Sequence, residues 1–594
     1  MAKKNLAKAG SKAAARGGAK PAGTAGKPAA ARAAAKAPAK AMPRSALPEG
    51  PQVVAGHGFP TPQHPYYHLR LAFRLDGSDS FRIKRVKVNG ERVRDFVSFH
   101  DFRFLKDQAL KPGGHSELFV RWDWKPREVQ TVEVQAEGGA RGEKTVTLRA
   151  RAQAPTSGGY WDPAWKYYAG LVVSENAGID RTDEPVHTSL AVYADRIHDP
   201  KREVRVVAVD PLSGEQRELA CQVHEVKYYR AEGVKVGDEY QPTTTFQVCF
   251  FADVPADSSR VYLAFYGNPK AKATAYAEGL SVSGHGPGLT IENPYYQALL
   301  HPKSGSIDEI HMKMGVGAKF YHHLETNGAL HWNPCFYAPP KPWLHASDWD
   351  PPPEQTVLVG PVFVSTQRSG HVEPYKDESH MAVTYRFYAR TPWIFLSTTL
   401  EVRKDVAAKA LRNGEFVLDR KLVDEFAWRE PDGGVGTMLI TDGPKHPRHA
   451  KVLPAETPWT CFFNRKGRYG LGMVTSKLAD FRTDGGLPKY FNRFRYLQWS
   501  KWVYTCRPLV YTFSTMNQAR LVPVAAGNLY YEEMALLPLA IRPEGEDFAA
   551  LELLHARLTN PLDVQIVEDT DPRAPEGWVS PVLVEEFNEF DEEE

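Results

Sequence analysis

Cysteine is scarce in this chain: five in 594 residues. Cys221, Cys249, Cys335, Cys461 and Cys506 lie far apart and form no CxxC pair, which argues against a disulfide scaffold and a zinc knuckle. Reduced thiols in a cytoplasmic protein are the simplest expectation, with one or two bridges in an exported form left open. No apolar run has the length of a membrane span. The Lys/Ala/Gly/Pro-rich beginning has no apolar centre and does not read as an ordinary secretory signal, so a cytoplasmic location is expected, non-classical export being the other route. HExxH, GxSxG, phosphate-loop and dinucleotide-fold patterns are missing, and nothing else anchors those enzyme classes. No internal repeat of fixed period is found.

Acidic residues are missing from positions 1–48, which carry eight lysines and three arginines. Removing those eleven charges from the formal +3 leaves about −8 on the remainder. A nucleic-acid-binding body would instead carry an excess of Lys and Arg arranged as a patch. Residues 1–50 cannot repay the entropy of ordering and read as a disordered basic arm, a solubilising extension or a tether to a polyanion. Residues 585–594 hold seven acids, a self-repelling tail that with the arm leaves self-association open.

What is present is strand pattern. Forty-six glycines and forty-six prolines argue for many turns, and hence for sheets joined by loops. Residues 67–75 alternate apolar and polar, as do 81–88 before the turn pair Asn89-Gly90, and 118–122, 132–135 and 145–148 continue the pattern; 57–155 is expected to be a small antiparallel β-domain. Strand-like runs at 171–173, 186–192, 204–209, 221–226, 244–251 and 260–266, with no crossover-helix pattern between them, predict a second antiparallel sandwich or barrel over 160–275. The largest region, 286–575, has strand runs at 289–292, 296–300, 306–310, 356–366, 380–390, 393–402, 436–441, 469–475, 495–505 and 509–513. So many strands need two large facing sheets. Residues 546–558 fit a strand pair or one short amphipathic helix. The expected fold class is all-β: antiparallel accessory β-domains followed by a large β-supersandwich.

The stretch 321–349 is organised differently. It contains His322, His323, Glu325, Asn327, His331, Trp332, Asn333, Trp343, His345, Asp348 and Trp349, interrupted by Pro334, Pro339, Pro340 and Pro342, with no regular period. A proline-stiffened loop crossing a sheet could present ring faces and titratable groups to a polar ligand such as a sugar; packing of the same aromatics onto the sheet is the alternative.

The sequence Glu292-Asn293-Pro294-Tyr295-Tyr296, followed by His301-Pro302-Lys303-Ser304-Gly305-Ser306-Ile307, resembles the opening hairpin of galactose-mutarotase-like supersandwiches, which recur in polysaccharide lyases and in sandwich domains of several glycoside hydrolases. Arg181-Thr182-Asp183-Glu184-Pro185-Val186 resembles the first strand of an accessory domain in exo-acting rhamnogalacturonan-lyase-like proteins. The resemblance implies a carbohydrate-active protein. Its partner would be an anionic oligosaccharide or polysaccharide, and its activity would be cleavage of uronate-containing glycosidic links by β-elimination. A non-catalytic carbohydrate-binding or assembly protein and a glycoside hydrolase are the alternatives.

Elimination needs a cation at the uronate carboxylate and a base or acid within reach of the proton and the leaving oxygen. On the run 380–390 alternation puts His380, Ala382, Thr384, Arg386, Tyr388 and Arg390 on one face and Met381, Val383, Tyr385, Phe387 and Ala389 on the other. The polar face offers Arg386 as clamp and Tyr388 or His380 as proton carrier, with His323 and His331 from the long loop. Trp332, Trp343 and Trp349 are candidate sugar platforms. Asn327, Asn333 and Asp348 are candidate hydroxyl partners, and Arg465, in the turn 464–469, is a second candidate anion contact. A solvated sheet face and buried tryptophans are the structural alternatives for all of these. Hydrolysis would instead draw on carboxylates such as Asp424, Glu425, Glu430, Asp348 and Asp350, at separations the sequence does not supply. His322-His323 diverge on a strand and His446-Pro447-Arg448-His449 includes a competing cation, so no metal site is assigned; cofactors stay unknown, a divalent cation included.

Overall fold

The computed structural model describes residues 52–57, 68–74, 81–93, 96–98, 109–110, 115–121, 129–138, 144–153, 161–209, 216–229, 242–277, 279–321, 333–430, 432–440, 450–454, 457–481, 495–499, 502–511, 521–542 and 548–569. The architecture is all-β, with antiparallel ladders throughout the three strand-rich regions. Among the described residues the first region has two sheets, and the expected turn pair closes a hairpin between Phe81–Val88 and Glu91–Val93. Asn89 and Gly90 adopt φ of 52° and 84°, the left-handed pair that a tight hairpin needs.

The second region is a sandwich. One sheet runs in the order Gln216–Leu219, Arg205–Val209, Ser259–Tyr266, Tyr167–Ser174, Asp563–Asp569; the other is Arg181–Tyr193, Thr243–Val254, Cys221–Tyr229. Val173, Val186, Val206, Phe246, Val248 and Tyr262 meet between them, as the alternation of Val and aromatic residues requires. The strand Asp563–Asp569 comes from the far end of the chain and pairs with Tyr167–Ser174, so the C-terminal segment returns to the accessory sandwich. Before it, 549–559 is a helix, one of the two forms open for that stretch, and its Leu551 and Leu554 pack on Trp459 and Phe463.

The third region is a supersandwich of a nine-stranded sheet facing a five-stranded and a six-stranded sheet. Its core takes Met381, Val383, Tyr385 and Phe387 from the nine-stranded sheet, Ile291 and Ile310 from the five-stranded one, and Leu411, Phe416 and Val503 from the six-stranded one. Two polar ties cross this core. Thr398 Oγ1 donates to Asn413 Oδ1 at 2.5 Å, and Arg507 Nε to Glu532 at 3.0 Å.

Several strands differ from expectation. The run 356–366 is two strands, Glu354–Val359 and Phe363–Gly370, turning at Gly360; 495–505 is likewise broken, into Arg495–Trp499 and the start of Trp502–Tyr511. Ala410–Asp419, Glu425–Arg429, Trp459–Asn464 and Leu529–Ala540 are strands without a sequence signal read for them.

Candidate functional site

The stretch around Trp343 meets a strand that the sequence reading passed over. Ala410–Asp419 pairs with Asn333–Tyr337 on one side and Trp502–Tyr511 on the other, which puts Cys335 opposite both His345 and Arg412 and Asn333 opposite Glu415. Two register shifts, one on each side of Arg412-Asn413, disturb the ladder, and Gly414 adopts φ of 55°, a conformation natural to glycine at a bulge. Such bulges re-aim side chains. Thr505 points into the core against Met473, whereas Tyr504 and Cys506 lie with Val417 on the outer face, where Arg412 reaches them.

On this outer face His345 sits between two carboxylates. Its Nδ1 is 3.4 Å from Asp348 and its Nε2 is 3.6 Å from Glu415. Asp348 also accepts the backbone N–H of His345 at 2.7 Å, which fixes the short turn carrying both residues. Glu415 is paired with Arg412 at 2.9 Å, and the Arg412 guanidinium lies 4.4 Å from the centre of the Trp343 ring. Trp343 in turn stacks on Tyr337 at 5.2 Å and 14°. These groups are neither fully wet nor sealed: the His345 side chain is 18% exposed, Asp348 25% and Glu415 9%. An imidazole with a carboxylate at each nitrogen can take up or release a proton while either carboxylate stabilises the cation. Because the carboxylates face opposite sides of the ring, they do not converge on one point. Among the described residues no group of three or more His, Cys, Asp or Glu side chains is placed to hold a metal ion.

The other expected residues are distributed elsewhere. Arg386 and Tyr388 do lie on the outer face of their strand, but the accessory sandwich covers that end. The Tyr388 hydroxyl is 3.0 Å from His187 Nε2 and 3.4 Å from an Arg386 nitrogen, and Arg386 lies over Phe363 at 5.4 Å and Phe395 at 5.7 Å. Burial, opposed by the Arg386 charge, pushes the Tyr388 hydroxyl up to about 12. Within the described part of the tryptophan-bearing stretch the expected meeting with Arg386 is not formed: Arg386 and Trp343 occupy the outer faces of opposing sheets, with the core between them. His380 is six residues from Arg386 on one strand, about 20 Å away at strand rise. Burial and then Arg403 lower its pKa.

Trp349 is buried, 4% exposed, and its indole donates to the His371 carbonyl at 2.7 Å, so the ring serves packing. Arg465 holds Glu425 through two nitrogens at 2.9 and 3.4 Å, in the turn expected at that place. Asn333 begins a strand, Trp343 and Asp348 belong to the outer-face cluster, and His323, Asn327, His331 and Trp332 lie outside the described residues. Arg412 and Glu415 were missed altogether. Their strand is buried along its whole length and bulged, so the period-two pattern that reveals strands is lost, and Asn413-Gly414 looks like a turn.

No protein-family model and no curated protein matches the chain. Among solved structures, similarity is found to a glycosyl hydrolase family 38 protein from Enterococcus faecalis, at 13% identity and a TM-score of 0.42, covering 68% of this chain and 47% of that one. A galactose mutarotase-like protein from Lactobacillus casei gives 13% identity and a TM-score of 0.28 over 42% of this chain and 99% of that one. Galactose 1-epimerase from Lactobacillus acidophilus gives 8% and 0.29 over 44% and 98%. The chain thus spans about half the length of the Enterococcus protein. Likeness at this level does not define an activity for this chain. Among the described residues no helix is long and apolar enough to cross a membrane.

Proposed function

We propose that the protein binds carbohydrate on the outer face of the six-stranded sheet and moves a proton on the bound sugar with His345 and Glu415. The observation that carries this reading is the position of the His345 ring between Asp348 and Glu415, with Arg412 holding Glu415 in place. Sugar recognition needs directional polar groups beside ring surfaces. Glu415, Asp348 and His345 supply the first, and the Tyr337–Trp343 stack with Tyr504 supplies the second. Part-burial supports the chemistry as well, since a half-excluded site strengthens each charge-assisted hydrogen bond.

β-Elimination on a uronate is the finer form of this reading. Arg412 would then neutralise the sugar carboxylate and His345 would take the proton beside it, replacing the roles first given to Arg386, Tyr388 and His323. Non-catalytic binding is the second reading, favoured by one observation: Arg412 is already engaged by Glu415, Trp343 and Cys506. A glycan array with the full chain, followed by product analysis on the glycans that bind, separates these. Unsaturated uronyl products support elimination, reducing ends without unsaturation support hydrolysis, and saturable binding without products supports the second reading. Failure to bind any glycan contradicts the proposal.

A further inference from the structure

A polar cavity lies away from the sheet-face cluster and shares no residue with it. About 390 Å³ in volume, it is lined by Arg217, Glu218, Phe251, Thr274, Tyr276 and Arg390, among others. That volume is within the range of small-ligand sites. Three parts of the chain build it: both sheets of the accessory sandwich, the segment leading out of that sandwich, and the turn after Ser379–Tyr388 in the supersandwich.

Its polar groups are held in order. Tyr276 donates its hydroxyl to Glu218 at 2.6 Å, and Glu218 receives Arg205 Nε at 3.3 Å. Arg205 is buried and fixed by the carbonyls of Arg202, Val204 and Lys272. Glu218 is therefore balanced by Arg205, which does not line the cavity, and the lining also carries the guanidinium groups of Arg217 and Arg390. Arg390 contacts Asp183 at 3.0 Å and lies 5.3 Å from the Phe251 ring centre, which orients its guanidinium at the cavity edge. Counting Arg205, Arg217 and Arg390 against Glu218 and Asp183 leaves one net positive charge. The rings of Phe251 and Tyr276 and the hydroxyl of Thr274 complete the lining.

We infer that this cleft binds a small polyhydroxylated anion, a sugar acid or sugar phosphate, with Arg217 and Arg390 at the anionic group and the Tyr276–Glu218 pair at hydroxyls. A guanidinium is the side chain best shaped for a carboxylate or phosphate. Since the accessory sandwich and the supersandwich both contribute residues to the cleft, the bound anion would also tie the one to the other.

The test is calorimetric titration of the full chain with D-glucuronate, glucose 6-phosphate and neutral glucose. One or both anions should bind, with glucose at least about tenfold weaker, and Arg217→Ala and Arg390→Gln should each weaken the anion by about tenfold or more. Which anion binds identifies the group. Arg217 is exposed on an edge strand, so Arg217→Ala keeps the fold and carries the test even where Arg390→Gln disturbs the Asp183 contact. The inference is overturned by binding of neither anion, by equal binding of glucose, or by unchanged anion affinity in Arg217→Ala.

Discussion

His187 Nε2, on the accessory sandwich, lies 3.0 Å from the hydroxyl of Tyr388, on the nine-stranded sheet. Around that contact Cys249, His224 and Phe363 close the junction between the two regions, Cys249 Sγ standing 3.4 Å from the same nitrogen. Burial first, then the Arg386 and His224 charges, lower the His187 pKa to about 3. The ring is a neutral part of an interface.

A pH dependence of stability follows. An unfolded-chain imidazole titrates near 6.5, so between about pH 6.5 and about pH 3 the unfolded chain holds a proton that the folded chain refuses. Stability is full above this window and is lost as pH falls through it, by up to about 1.4 kcal/mol per pH unit for one group. His224, also lowered by burial first, and by Arg386 and Lys201 against Glu225, acts in the same direction. Urea midpoints should decline as pH falls from neutrality, and the decline should be shallower in His187→Gln; identical slopes would remove His187 as a cause.

The Asn293 side chain makes four hydrogen bonds from a buried position. Its Nδ2 donates to the carbonyls of Tyr388 at 2.8 Å and Thr391 at 3.0 Å, and its Oδ1 accepts from Tyr295 and Tyr296, both at 2.9 Å. Asn293→Ala leaves four backbone groups, three of them buried, short of a partner and should cost about 2–4 kcal/mol. Asn293→Asp should be at least as harmful, because a carboxylate has no proton to donate to two carbonyls. Thermal unfolding checks both, and a midpoint within error of the parent would contradict the assignment.

Arg507 and Glu532 form an ion pair across the supersandwich core, both side chains 1% exposed. Removing one partner strands a charge, so Glu532→Leu alone should destabilise by about 3–5 kcal/mol, whereas the double change Arg507→Met with Glu532→Leu should recover most of that loss. Urea midpoints of the two singles and the double give the comparison. A double variant no better than the worse single would mean that the pair is not the source of the effect.

The sequence made the fold legible where polar and apolar residues alternate along a strand. On Ser379–Tyr388 the alternation of Met381, Val383, Tyr385 and Phe387 with polar neighbours gave the buried face correctly. The Asn293 signature pointed to a hairpin and turns out to hold that hairpin onto the turn at Thr391. Ala410–Asp419 was illegible because its bulges break the period and its polar residues, Arg412, Asn413 and Glu415, are buried with the apolar ones. The site suffered from the same gap. His345 and Asp348 stood within the stretch singled out, but their partners Glu415 and Arg412 lie on the strand that no pattern revealed, while the cationic face that alternation did reveal, at Arg386, is covered by the accessory sandwich.

Sugar binding at His345 and Glu415 is tested most directly by the affinity of the strongest array glycan for the parent, His345→Gln and Glu415→Gln, with Lys303→Ala as a control. Loss of a charge-assisted hydrogen bond should weaken binding about tenfold or more in both site variants and leave Lys303→Ala at the parent value. Equal affinity in all four proteins would show that the glycan binds elsewhere and would contradict the account.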